Sequence, residues 1–85
     1  MFQVFLAPLP QKFLKKCEKE VYDRVMKKVK ELAINPFPAD VKRVVGKEEK
    51  VFRVRVGNYR IQYVVFHEKG EILVSDIDKR PRAYD

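Results

Sequence analysis

Three arginines in the second half of the chain are spaced to grip an anion. Arg53, Arg55 and Arg60 lie in the segment from Val51 to Phe66, which alternates apolar and polar residues about Gly57-Asn58. Period-two alternation marks a half-buried strand, and a two-residue Gly-Asn turn joins two such strands into a hairpin. Gly in first place favours a type II′ turn, with I′ also open. Such a turn sets Val56 opposite Tyr59, Arg55 opposite Arg60, Val54 opposite Ile61 and Arg53 opposite Gln62. Side chains alternate across a strand, so Phe52, Val54, Val56, Tyr59, Ile61 and Tyr63 share a core face and the three arginines share the other. Like charges directly opposite each other are destabilising. Arg55 facing Arg60 therefore points to a bound anion, and the planar guanidinium fork suits phosphate best.

The remaining reactive side chains carry less. His67 falls in an expected turn at the end of the strand away from the Gly57-Asn58 tip, with no orienting partner in view, and reads as a surface turn residue. Cys17 sits on an apolar helical stripe and reads as core. Tyr22 and Tyr63 read as structural, and Asp76 and Asp78 either orient arginines or are simply solvated. One cysteine and one histidine leave no internal disulfide and no metal-ligand constellation, so no cofactor is expected.

These residues need a scaffold. The chain has 85 residues, enough for one compact domain over 1–85 and not for two. Its hydrophobic content of 46% supports a packed core. Nineteen basic against 12 acidic residues give a net charge of +7, which favours a polyanionic partner such as nucleic acid. The segment from Met1 to Ala7 is too short for a signal peptide, and no apolar run approaches a membrane span, which indicates a cytoplasmic protein without a membrane partner.

Residues 2–6 read as a first strand, and Pro8 and Pro10 open a helical region. Phe13, Leu14, Cys17, Val21, Val25, Val29 and Leu32 then recur at helical steps. This is one helix to about Ile34 or two with a joint near residues 17–19, and Asn35-Pro36-Phe37-Pro38 ends it. Strands follow at 41–45, on both sides of the Gly57-Asn58 turn, and at 72–77. Short connections make these later strands antiparallel. The expected fold is α+β: an antiparallel sheet of four to five strands with one or two N-terminal helices packed on its apolar face. The arginine face stays open.

The order of elements, and the block Val44-Val-Gly46 … Phe52-Arg-Val-Arg-Val-Gly-Asn-Tyr-Arg60 … Tyr63 followed by Lys79-Arg80 and Tyr84, resembles the RelE/ParE toxin superfamily, in particular the RelE-like mRNA interferases. The likeness covers nearly the whole chain. Phe52 stands where that pattern often has Tyr, and Arg53 and Arg55 stand where lysines are frequent. Arginine does not exchange protons as lysine can, so a proton-transfer role at these positions is in doubt.

The resemblance implies the toxin of a type II toxin–antitoxin system, acting as a metal-independent endoribonuclease on mRNA in the ribosomal A site. It implies a cognate antitoxin as partner, with operator DNA engaged only through the toxin–antitoxin complex. It implies that Arg60 contacts the scissile phosphate, that Arg80 supplies a second catalytic guanidinium, and that Tyr84 stacks on a base or helps activate the 2′-hydroxyl. Arg55 joins the catalytic set, and Arg53, Arg55, Lys79 and Arg82 would bind the RNA backbone, Arg82 only peripherally. A ParE-like toxin acting on DNA gyrase and a non-catalytic RNA-binding member of the superfamily are the alternatives.

Overall fold

The computed structural model describes residues 1–79. Strand β1 (Gln3–Leu6) leads into helices α1 (Pro8–Lys16) and α2 (Lys19–Ile34), followed by β2 (Lys42–Arg43), β3 (Val51–Val56), β4 (Tyr59–Phe66) and β5 (Glu71–Lys79). The five strands form one sheet in the order β1-β5-β4-β3-β2. The later strands are antiparallel to their neighbours, and β1 lies parallel to β5 from Gln3↔Glu71 to Leu6↔Val74. The sheet is therefore mixed, with its one parallel pair at the β1 edge.

The helical region is two helices. Pro8 opens α1, where its missing N–H costs nothing, and Cys17 and Glu18 then adopt extended backbone between α1 and α2. No glycine or proline marks this break; the size of the body accounts for it. A single helix over residues 8–34 would run roughly 40 Å at the standard rise, beyond the 34 Å long axis of the molecule. Asn35 closes α2, and its side-chain Oδ1 accepts the Phe37 N–H at 3.1 Å.

Val25, Val29 and Leu32 of α2 pack on Val54, Ile61, Tyr63, Ile72, Val74 and Ile77 of the sheet, and this is the core. Each of these side chains is at most 5% exposed. Tyr63 is fully buried, and its hydroxyl donates to the Pro36 carbonyl at 2.6 Å, tying the sheet to the chain leaving α2. Burial, with the nearby Asp40 charge adding to it, raises the Tyr63 phenol well above its ordinary value. Cys17 is half-buried at the joint between the helices rather than fully in the core.

The strand expected at 41–45 is reduced to Lys42–Arg43. After Arg43 the chain leaves the sheet, the Val44 N–H returns to the Val51 carbonyl at 2.8 Å, and Val45 is left almost fully exposed. A very short outer strand limits the edge open to unwanted pairing.

Candidate functional site

The hairpin register is the one its turn demands: Val56↔Tyr59, Arg55↔Arg60, Val54↔Ile61 and Arg53↔Gln62. Gly57 has φ +58° and no non-glycine residue has positive φ among the described residues, which makes the turn type II′. Val54, Ile61 and Tyr63 face the helices and are buried, with Phe52, Val56 and Tyr59 half-buried around them. Arg53, Arg55 and Arg60 fall on the opposite face, which no helix covers; Arg55 is exposed and the other two are half-buried.

Cross-strand pairing lays this open face out in rows. Arg55, Arg60 and Asp78 form one, and Lys42, Arg53, Gln62 and Asp76 the next. The third is apolar: Val51, Val64, Leu73 and Phe5. Asp76 and Asp78 reach this face only because β5 carries a bulge opposite Gln62 and Tyr63. Strict alternation from Ile72 and Val74 would put Asp76 and Asp78 under the helices and Ile77 outside. The extra residue at Ser75, whose hydroxyl donates to the Gln62 carbonyl at 3.3 Å, reverses the phase. Burying two carboxylates would cost far more than one irregular pair.

The bulge creates the most ordered contact on this face. Arg60 Nε–H donates to Asp78 Oδ1 and Nη2–H to Oδ2, both at 3.3 Å, with the arginine side chain 20% exposed. The side-on fork fixes the plane of the guanidinium. Arg55, directly opposite Arg60, forms no ion pair among the described residues. Between Arg53, Arg55, Arg60, Lys42 and Asp40 lies a crevice of only about 20 Å³, so an anion would sit on this face rather than in a pocket. Asp40 is drawn instead toward Lys28, whose Nζ lies 3.3 Å from Oδ2.

Sequence reasoning left the role of Asp78 open and did not see the bulge that places it. The available signal was the pair of aspartates in an otherwise apolar strand. Lys79 is exposed at the end of β5 in register with Tyr59, on the helix side of the sheet, so it is not gathered with the arginines. Arg80, Arg82 and Tyr84 lie outside the described residues. His67 lies in the β4–β5 turn at the far end of the hairpin and stacks on Phe37 with centroids 5.6 Å apart, with Phe2 at its edge.

A small basic chain with two helices on one side of a twisted sheet, and arginines gathered on the other, is the architecture of a toxin family. The model of the ParE toxin of type II toxin–antitoxin systems, parDE, matches residues 4–84, and the chain belongs to that family. It is a RelE-like toxin. A candidate toxin of Methanocaldococcus jannaschii, RelE1, is 42% identical over an alignment 66 residues long, which covers 69% of this chain and 72% of that protein. Among solved structures, the archaeal RelE–RelB complex from Pyrococcus horikoshii OT3 superposes with a TM-score of 0.81 at 26% identity, over 95% of this chain and 97% of that one. The RelBE2 toxin–antitoxin complex from Mycobacterium tuberculosis superposes at 0.80 and 20% identity, over 93% and 98% of the two chains, and attests the fold.

Proposed function

We propose that this toxin is a metal-independent endoribonuclease that cuts mRNA, with the arginine face of β3 and β4 as its phosphate-gripping surface. The reading rests on one observation: Arg60 is held in a fixed plane by Asp78, directly beside Arg55, whose guanidinium has no ion-pair partner among the described residues, on a face no helix covers. Guanidinium donors fixed in advance stabilise charge that grows on phosphoryl oxygens in the transition state. In this mechanism the 2′-oxygen attacks the adjacent phosphorus. The 2′-O–P bond forms as the P–O5′ bond breaks, leaving a 2′,3′-cyclic phosphate and a free 5′-hydroxyl. The proton of the 2′-hydroxyl goes to a base and the 5′-oxygen takes one up. Arg60 and Arg55 hold the phosphate, Arg53 holds a neighbouring one, and Arg80 and Tyr84 complete the catalytic set. Lys79 and Arg82 are then peripheral contacts to RNA.

Among the described residues the carboxylate in contact with the arginines, Asp78, is already engaged by Arg60, so in this reading proton transfer relies on positioning by the ribosome. The partner in the resting cell is a cognate antitoxin, as the RelB-bound relatives suggest, and operator DNA is reached through that complex. The setting is the cytoplasm, consistent with the lack, among the described residues, of a helix long and apolar enough to cross a membrane.

The test is incubation with ribosomes and a defined mRNA, followed by mapping of 5′ ends. Discrete A-site cuts that vanish with Arg60→Ala and fall at least a hundredfold with Tyr84→Phe are expected. The matched family model, described for ParE, favours one second reading, a toxin that acts on DNA gyrase. Gyrase-linked DNA breaks without RNA cuts would establish that reading instead.

A further inference from the structure

Two carboxylates stand in the arginine rows of the open face, and they are held differently. Asp78 is locked to Arg60. The bulge that turns Asp78 outward turns Asp76 with it, one row along and in register with Gln62. Asp76 is half-buried. Among the described residues neither an ion pair nor a hydrogen bond engages its carboxylate.

The register fixes how near Asp76 comes to the arginines. Arg60 pairs with Asp78, so Asp76 is its diagonal neighbour across β4 and β5. Such neighbours lie roughly 7–8 Å apart and within reach of long side chains. An attacking 2′-oxygen stands about 3–3.5 Å from its phosphorus. A nucleotide whose phosphate rests on Arg60 can therefore present its 2′-hydroxyl to Asp76. The charged groups facing Asp76 are Arg60 and Arg53 on the hairpin, Lys42 beyond them in the same row, and Asp78 on its own strand. β1 carries no charged residue, and α1 carries only Lys12, Lys15 and Lys16.

The other described groups are unsuited to taking a proton here. A guanidinium stays protonated, so Arg53, Arg55 and Arg60 cannot accept one. Asp78 is engaged by Arg60, and His67 lies at the far end of the hairpin against Phe37.

We propose that Asp76 is the general base of the cleavage and takes the proton of the attacking 2′-hydroxyl. This rests on the RNA-cleaving reading above and names the group to which the ribosome brings that hydroxyl. As the 2′-oxygen bonds to phosphorus, its proton passes to a carboxylate oxygen of Asp76. The P–O5′ bond breaks, and the 5′-oxygen takes a proton from water. Asp76 then gives its proton to the hydroxide left behind, which restores both. A carboxylate is a weak acceptor for a hydroxyl proton. The transfer is eased because it coincides with attack on a phosphate whose charge the guanidinium groups offset.

The experiment is single-turnover cleavage of a defined mRNA on ribosomes by saturating toxin, from pH 6 to pH 8. Binding to ribosomes whose mRNA carries 2′-deoxynucleotides at the cut site is measured alongside. Carboxylates are ionised throughout this range, so the wild-type rate is expected to vary less than about threefold. Asp76→Asn is expected to lower the rate at pH 6 at least about a hundredfold, the usual share of a general base. Its residual rate should climb about tenfold per pH unit, because hydroxide must take the proton instead. Asp76→Glu keeps a carboxylate and is expected to keep the level profile. Both variants are expected to bind the uncleavable complex within twofold of wild type, which a merely structural role would not allow. A level profile in Asp76→Asn, a climbing one in the wild type, or a loss of binding as large as the loss of rate overturns Asp76 as the base. Each of these leaves the RNA reading standing, provided that the wild-type chain cuts and Arg60→Ala does not. No cuts by the wild-type chain at any pH overturns both.

Discussion

Arg60 illustrates how much of this surface depends on single contacts. Its guanidinium is anchored by Asp78 through Nε and Nη2, which leaves Nη1 and the outward edge for an anion. Both side chains are partly exposed, so the pair contributes no more than about 1 kcal/mol to stability. Its value is orientation. If Arg60 grips the scissile phosphate as proposed, Asp78→Asn is expected to lower the rate of RNA cleavage about tenfold, since small misplacements of a phosphate-holding group are costly. The urea-unfolding free energy should change by less than about 1 kcal/mol. A loss of stability that accounts for the whole loss of rate would contradict this. Tyr63 makes the opposite kind of contribution. Tyr63→Phe keeps the ring but leaves the Pro36 carbonyl without its donor, at a cost of about 1–3 kcal/mol by denaturant unfolding. Its phenol is raised in the folded state, so the native chain holds the proton that the unfolded chain releases above about pH 10. That contribution is whole below pH 10 and is lost as the pH rises past it. The stability gap between wild type and Tyr63→Phe should therefore narrow between pH 8 and pH 10.5, measured as urea midpoints at the two values.

At the scale of elements, the β3–β4 hairpin sets the register that gathers the arginines, and its turn sets the hairpin. Gly57 sits at φ +58°, and a Cβ there would come within 3.2 Å of the Arg24 guanidinium. Backbone strain dominates, because the arginine end can move and the left-handed conformation cannot be avoided. Gly57→Ala is expected to cost about 1–2 kcal/mol in unfolding free energy. Weaker protection of β3 and β4 amides in hydrogen exchange should accompany that loss. The hairpin was legible in the sequence down to each cross-strand pair, because a two-residue turn and strict alternation leave one register. The bulge in β5 was not legible. Periodicity alone assigns Asp76 and Asp78 to the face of Ile72 and Val74, and only the refusal of a packed core to take carboxylates reverses them. The break at Cys17 and Glu18 was open for a similar reason. Both sides of it are good helix, and the limit is the length of the sheet they cover.

For the whole molecule, the controlling quantity is the distribution of its +7 charge. Lys42, Arg53, Arg55 and Arg60 share one face with Asp76 and Asp78, so the open surface is positive near the hairpin tip and not uniformly so. If three of these cations each neutralise one phosphate of a single strand, log affinity should fall with log salt at a slope of about −2. Raising salt from 50 to 200 mM should then weaken binding of a single-stranded oligonucleotide about 20-fold, and Arg53→Ala with Arg55→Ala should flatten the slope by more than one. Titrations at several salt concentrations measure both. A slope unchanged in the double variant would place the phosphates elsewhere.

The sequence by itself determined the hairpin, its core face and the arginines opposite one another, because these follow from a period of two and one turn. It also carried the motif that marks the family. The tertiary structure alone decided that β1 joins the sheet parallel to β5, that the helical region breaks in two, and that Asp78 anchors Arg60. Each of these depends on contacts between segments distant in the chain. Local propensity does not encode such contacts; they are settled when one small core must be covered and every charge kept out of it.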